Sequence, residues 1–202
     1  MEILIGTSNA GKLHEYEALL GGLSLHLLTL KDVGLDNMEV AEDATTLEEN
    51  ALLKVRAYSK ASGLITLADD TGLFVDAIGG APGVYPARYG GPGLTMQQRR
   101  QKLLGELQDV PEAKRTARFA CVIAVAHPTS GYERTVRGLC EGRIALTESE
   151  GGSGFGYDAV FIPEGYSMTW GHVPLEEKNR ISHRGQAARL IVPVLQQLFA
   201  KG

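Results

Sequence analysis

The chain has 202 residues, 44% of them hydrophobic, with 20 basic against 24 acidic side chains and a formal net charge of −4. That content is enough to bury one sizeable core, so a single domain over 1–202 is expected. The acidic balance argues against the Lys/Arg excess on which non-specific nucleic-acid binding rests. The thiols are Cys121 and Cys140, which suggests a reducing compartment without a disulfide framework, and no Cys/His spacing builds a zinc site.

In chain order, residues 2–6 form a short apolar run, expected to be a buried strand. Thr7-Ser8-Asn9-Ala10-Gly11-Lys12 follows, then Leu13, Tyr16, Leu19, Leu20 and Leu23 at helical spacing, with Gly21-Gly22 ending the helix. Residues 24–30 read as a second strand. After an acidic connection, Thr46-x-x-Glu49 is a capping box that opens a helix stopped by Gly63. An apolar strand over 64–68 leads into Asp69-Asp70-Thr71-Gly72, and a Gly/Pro-rich loop occupies 79–93. Thr95-x-x-Gln98 caps a helix over about 95–108. Alternation through Ala117, Phe119, Cys121, Ile123 and Val125 predicts a strand, with 132–140 as its hairpin partner. A second glycine loop covers 151–158, a short strand covers 159–162, Pro174 suits the first turn of a short helix, and the last helix spans about Ser182 to Phe199 with Pro193 inside. The order is mixed, so an α/β protein with a mixed sheet is expected. The N-terminus lacks a basic leader and no stretch reaches about 18 apolar residues. The chain is therefore expected to be cytoplasmic, with neither membrane nor nucleic acid as partner.

Four constellations carry chemistry. Gly6-x-x-x-x-Gly11-Lys12 has P-loop spacing, but Leu13 stands where Ser or Thr would hold magnesium. The segment is either a phosphate-gripping turn or a plain strand-to-helix connection. Asp69 and Asp70 follow an apolar strand, where α/β proteins commonly place ligands; alternation would send only one of them to a site. Glu42 and Asp70 form a magnesium pair if the fold joins them, and otherwise Glu42 is a solvated loop residue. In Gly151–Asp158, Phe155 and Tyr157 sit among glycines, either open to a flat partner or plugging the core, and Asp158 can accept from a base or sugar. Lys178 and Ser182-His183-Arg184-Gly185 put cations on the first turn of a helix, which the helix dipole disfavours. An anionic ligand or a surface basic patch would explain them.

These motifs, in order, resemble the inosine triphosphate pyrophosphatases, also called dITP/XTP diphosphatases. The likeness runs from Thr7 to about Leu190. It rests on Thr7-x-Asn9-x-x-Lys12, Glu49-Asn50-Ala51, Ala68-Asp69-Asp70-Thr71-Gly72-Leu73, Gly79-Gly80-Ala81-Pro82-Gly83-Val84-Tyr85, Ala87-Arg88-Tyr89, Gly154-Phe155-Gly156-Tyr157-Asp158 and Lys178-x-x-Ile181-Ser182-His183-Arg184-Gly185. The resemblance implies an elongated α/β fold with two lobes and a central cleft, usually a homodimer. It implies hydrolysis of ITP, dITP and XTP to the monophosphate and pyrophosphate with Mg2+, cleansing the nucleotide pool.

By the same resemblance, Asp70 and Lys12 are catalytic and Glu42 with Asp70 binds the metal. Thr7, Ser8, Asn9, Ala10, Gly11 and Lys12 grip the triphosphate, and Thr71 and Arg88 touch the substrate. Phe155 stacks on the purine, with Gly156, Tyr157, Asp158, Lys178, His183 and Arg184 around base and sugar. The chain departs from the family pattern at 147–153, at Ala159, and at Thr169-Trp170-Gly171-His172, where Thr-Phe-Ala-Glu is usual. A nucleotide-binding regulator without turnover is the competing expectation those departures raise, and a nucleic-acid-processing module is a third, disfavoured by charge.

Overall fold

The computed structural model describes residues 1–152 and 155–200. Among them are seven strands, β1 (Glu2–Ile5), β2 (His26–Thr29), β3 (Thr66–Val75), β4 (Pro82–Gly83), β5 (Thr116–Ala126), β6 (Glu133–Ile144) and β7 (Phe161–Pro163). The five α-helices are α1 (Ala10–Leu20), α2 (Leu47–Ser62), α3 (Met96–Glu106), α4 (Leu175–Ile181) and α5 (His183–Ala200). The strand order is β2-β1-β3-β5-β6-β7, with β4 on β3. β1 runs parallel to β2 and β3, whereas β3 with β4 and β6 with β7 are antiparallel, so the sheet is mixed as expected.

The local signals hold where they are local. Thr46 caps α2, its hydroxyl accepting from Glu49 N, and Gly63 closes that helix in the left-handed region at φ 71°. Thr95 and Gln98 complete the capping box of α3. Three expectations need correction. β3 does not stop at 68 but continues to Val75, so Asp69 and Asp70 lie inside a strand and not beyond its end. α1 ends at Leu20, leaving Leu23 outside it. Ser182 closes α4, and α5 begins at His183.

Backbone contacts divide the chain into two compact units. The first comprises Met1–Asp70, Cys121–Gly138 and the chain from His183; the second comprises Thr71–Ala120 and Leu139–Ser182. In the first unit, α1 packs on α5, and Tyr16, Leu20, Ala187, Ile191 and Leu195 bury against Ile3, Ile5, Leu67, Ile123 and Val125 of the strands. An ion cluster is sunk beside this apolar core. Arg184 of α5, 2% exposed, reaches Asp69 Oδ2 from Nη2 at 3.2 Å and pairs with Glu15 of α1 through Nη1. The cations that sequence reasoning found misplaced on a helix N-terminus thus include one neutralised by two buried carboxylates.

In the second unit, Phe119, Phe161 and Trp170 form an aromatic cluster in the core. Their centroids lie 4.8 to 5.2 Å apart, with Phe119 and Trp170 stacked at 24° and Phe119 and Phe161 edge-on at 72°. Arg115, 3% exposed, caps the end of α3: its guanidinium donates to the carbonyls of Leu107, Val110 and Ala145 at 2.7, 2.9 and 2.9 Å. Gly142 on β6 lies so close to β7 that an added Cβ would sit 2.3 Å from Ile162 O. The Gly142↔Pro163 and Arg143↔Ile162 pairs hold both strands in place, so neither backbone can retreat.

Two expected outcomes follow for stability. Gly142→Ala should cost about 1–3 kcal/mol, as an overpacked core position does, seen as a lower urea midpoint at unchanged m-value. Burial alone would raise the Asp69 carboxyl, but the Lys12 and Arg184 cations outweigh it and hold the group far below the usual carboxylate range. A folded value depressed this way contributes stability above the unfolded carboxyl value of about 3.9, and loses it as pH falls below that value. Asp69→Asn should therefore cost about 3–5 kcal/mol at neutral pH, as breaking a buried pair does, and should flatten the acid limb of the stability curve.

Candidate active site

The turn from β1 to α1 is built by packing. Gly6 is buried, and a Cβ there would meet the Tyr58 ring of α2 at 2.9 Å, so its place in the P-loop-like spacing is explained by close packing. Ser8, Asn9 and Ala10 are exposed. Asn9 is the helix N-cap, its Oδ1 accepting from Gly11 N at 3.0 Å and Lys12 N at 3.2 Å, while Asn9 N donates to Thr7 Oγ1 at 3.2 Å. The Asn9 side chain thus holds the two amides a phosphate would be expected to meet. The anion-attracting parts that remain at the turn are the positive end of the helix and Lys12.

Strand alternation then sorts the two aspartates. Asp69 and Asp70 are successive residues of β3, 1% and 7% exposed. Asp69 turns to Lys12, whose Nζ lies 2.9 Å from Oδ2, and to Arg184 and the Cys121 thiol, which donates at 3.6 Å. Asp70 points the other way. Its Oδ1 accepts from Lys54 Nζ at 3.0 Å and its Oδ2 from Asn50 Nδ2 at 3.2 Å. The same Lys54 ammonium donates to Glu42 Oε2 at 2.6 Å. Asn50 also exchanges hydrogen bonds with both backbone groups of Ala44, at 3.0 and 3.4 Å, and so pins the segment that carries Glu42. The fold thereby joins Glu42 and Asp70, which a lone reading of the acidic loop left open.

Charge separates these carboxyls. Burial pushes the Asp70 carboxyl above its ordinary value, with Lys54 and Lys12 opposing and Glu42 adding to the rise. Burial acts the same way on Glu42, but Lys54 outweighs it and holds that carboxyl below its ordinary value. Burial lowers Lys54, yet Asp70, Asp69 and Glu42 more than restore it, so it remains an ammonium. The pair offers hard carboxylate oxygens already converging on one cation. No group of three or more His, Cys, Asp or Glu side chains among the described residues forms a metal cage. Magnesium at nucleotide sites takes one or two carboxylates, with phosphate oxygens and water completing its shell, so the chemistry of this donor set fits that ion.

The second unit holds a separate polar group. Lys178 of α4 donates to Asp158 Oδ2 at 2.6 Å, both residues being buried, and its ammonium lies 5.6 Å from the Phe155 ring centroid and 5.4 Å from that of Trp170. Phe155 and Gly156 are half-buried. The Tyr157 hydroxyl donates to Pro86 O at 2.9 Å, and burial pushes its pKa up to about 12, so that ring is a core plug and not an open face. Arg88 is exposed, its guanidinium 5.0 Å from the Tyr85 ring centroid. Thr71 follows Asp70 along β3, half-buried. Ser153 and Gly154 of the glycine motif lie outside the described residues. His183 and Arg184 belong to the first unit and Lys178 to the second.

Lys54 and Glu15 were missed by sequence reasoning, and Asn50 was noted only inside a motif. A signal existed for two of them. Asn50 and Lys54 stand one helical turn apart, flanking the apolar face of Leu47, Ala51, Val55 and Tyr58, and such a pair at the margin of a buried face requires polar partners.

Comparison with known proteins agrees with this architecture. The model of the Ham1 family matches residues 3–194. The chain is 45% identical over 198 residues to the dITP/XTP pyrophosphatase of Streptomyces avermitilis, covering 98% of both chains. It is 42% identical over 196 residues to the dITP/XTP pyrophosphatase of Shigella flexneri, covering 96% of this chain and 98% of that one. Among solved structures, a HAM1 protein from Coxiella burnetii superposes with a TM-score of 0.86 at 36% identity, covering 98% of this chain and 99% of that one. With the family model matched over residues 3–194 and the fold matched among solved structures, the chain belongs to the Ham1 family.

Proposed function

We propose that this protein hydrolyses inosine, deoxyinosine and xanthosine triphosphates to the monophosphate and pyrophosphate, removing them from the nucleotide pool. The observation that carries the reading is the pair of opposite faces on β3. Asp69 aims Lys12 beside an exposed helix N-terminus, and Asp70 shares Lys54 with Glu42. The names of the relatives support the same reaction.

In this reading, water attacks the α-phosphorus; an O–P bond forms, the bond to the α–β bridging oxygen breaks, and pyrophosphate leaves. Asp70, its carboxyl raised by burial, orients the water and takes its proton. Lys12 offsets the negative charge developing on the phosphate, and Thr7, Ser8, Asn9, Ala10 and Gly11 hold the polyphosphate. Glu42 and Asp70 are the residues that would hold Mg2+, which when bound shields phosphate charge and improves pyrophosphate as a leaving group. Phe155 stacks on the purine, and Asp158 and Lys178 hydrogen-bond base or sugar. Thr71, Arg88, Gly156 and His183 complete the contacts. Tyr157 acts from the core by fixing its turn, and Arg184 acts by holding Asp69. A cytoplasmic homodimer is part of the proposal, carried by the resemblance.

Incubated with inosine triphosphate and magnesium, the protein should release inosine monophosphate and pyrophosphate in equal amounts, read by anion-exchange chromatography. Chelation should abolish turnover and added magnesium should restore it; stepwise release of orthophosphate would overturn the reading. Asp70→Asn and Lys12→Ala should each lower kcat by about 100-fold or more while the far-ultraviolet circular dichroism stays unchanged.

A further inference from the structure

Arg100 lies on α3 in the second unit, 8% exposed. Its Nε and Nη2 reach Glu148 Oε1 at 2.7 and 2.5 Å, and its Nη1 donates to Gly156 O at 2.8 Å. Gln101 Nε2 donates to the other Glu148 oxygen at 3.0 Å, so the carboxylate is held from two successive residues of one helix. Gly156 sits in the left-handed region at φ 57°, directly after Phe155. Asp158 N closes the turn onto Phe155 O at 3.0 Å. Tyr157 and Asp158 are tied to Pro86 and Lys178, and the Gly156–Tyr157 peptide, one residue beyond Phe155, is held at its carbonyl by Arg100. That bond is charge-assisted, and its donor is a planar group already oriented by a carboxylate, so it fixes direction as well as distance.

We propose that Arg100 is a positioning residue for the purine: oriented by Glu148, it fixes the Gly156–Tyr157 peptide at the Gly156 carbonyl and thereby the turn that sets the attitude of the Phe155 ring. The inference rests on the reading that Phe155 stacks on the base. A stacking contact contributes equally to ground-state and transition-state binding, so its loss moves KM and leaves kcat.

The test is steady-state hydrolysis of inosine triphosphate at saturating magnesium by Arg100→Leu, Arg100→Lys, Glu148→Gln, Phe155→Leu and the double variant Arg100→Leu/Glu148→Leu. Competitive inhibition by tripolyphosphate, which has no base, is measured beside it. Arg100→Leu and the double variant should raise KM about 5- to 20-fold, within the range of one base–aromatic stack, with kcat within about twofold and tripolyphosphate inhibition unchanged. Arg100→Lys and Glu148→Gln should fall between, and Arg100→Leu should add nothing on a Phe155→Leu background. If Arg100→Leu fails to fold, the double variant carries the same test, because an apolar pair in place of a buried ion pair is commonly tolerated. If that also fails, the KM shift of Glu148→Gln decides. An unchanged KM in these variants beside a raised KM in Phe155→Leu overturns the role of Arg100 and leaves the stacking reading standing. An unchanged KM in Phe155→Leu overturns both. Weakened tripolyphosphate inhibition, or loss of active enzyme at constant KM, shows a general structural role and overturns the proposal.

Discussion

The site in the first unit depends on a geometric constraint: successive side chains of a strand point to opposite faces. Because Asp69 and Asp70 are neighbours on β3, one carboxylate held by Lys12 and Arg184 and another held by Lys54 and Asn50 are placed back to back on one segment. Asp69 does more than fill space. By accepting from Lys12, it limits where that flexible side chain can go, and by accepting from Arg184, it ties β3 to α5. An ammonium on a four-carbon stem would otherwise sample many rotamers, and a buried partner removes much of that freedom.

On the other face, Lys54 solves an electrostatic problem. Two carboxylates close together in a partly buried place repel, and a shared ammonium lets both approach while splitting their proton affinities. The carboxyl pushed upward is Asp70, whose deeper burial outweighs the cation; the more open Glu42 is held ionised. Unequal burial and the unequal pull of the shared cation thus move the two carboxyls in opposite directions.

Much of this fold was legible in the sequence because its signals are local. Capping residues at Thr46 and Thr95 act within one turn, and the alternation from Ala117 to Val125 spans one strand, so no distant information is needed. The reading failed where satisfaction is remote. Asp69-Asp70-Thr71-Gly72 reads as following a strand because polar residues rarely fill a central strand, yet each aspartate meets a cation from another element, Asp70 from Lys54 of α2 and Asp69 from Lys12 of α1. Likewise Arg184 looked misplaced against its helix dipole, and its explanation lies on β3 and α1. For the candidate site, the residue types and the pairing of Glu42 with Asp70 were legible through resemblance, but Lys54, which joins them, was not.

Two buried guanidinium groups are anchored by different chemistry. Arg184 rests on carboxylates, whereas Arg115 rests on the carbonyl oxygens of Leu107, Val110 and Ala145. Amide carbonyls do not titrate over the range in which carboxylates gain protons. Acidification therefore loosens the fastening of α5 to β3 while leaving the clasp that Arg115 forms at the end of α3 intact, so the two guanidinium anchors part company at low pH.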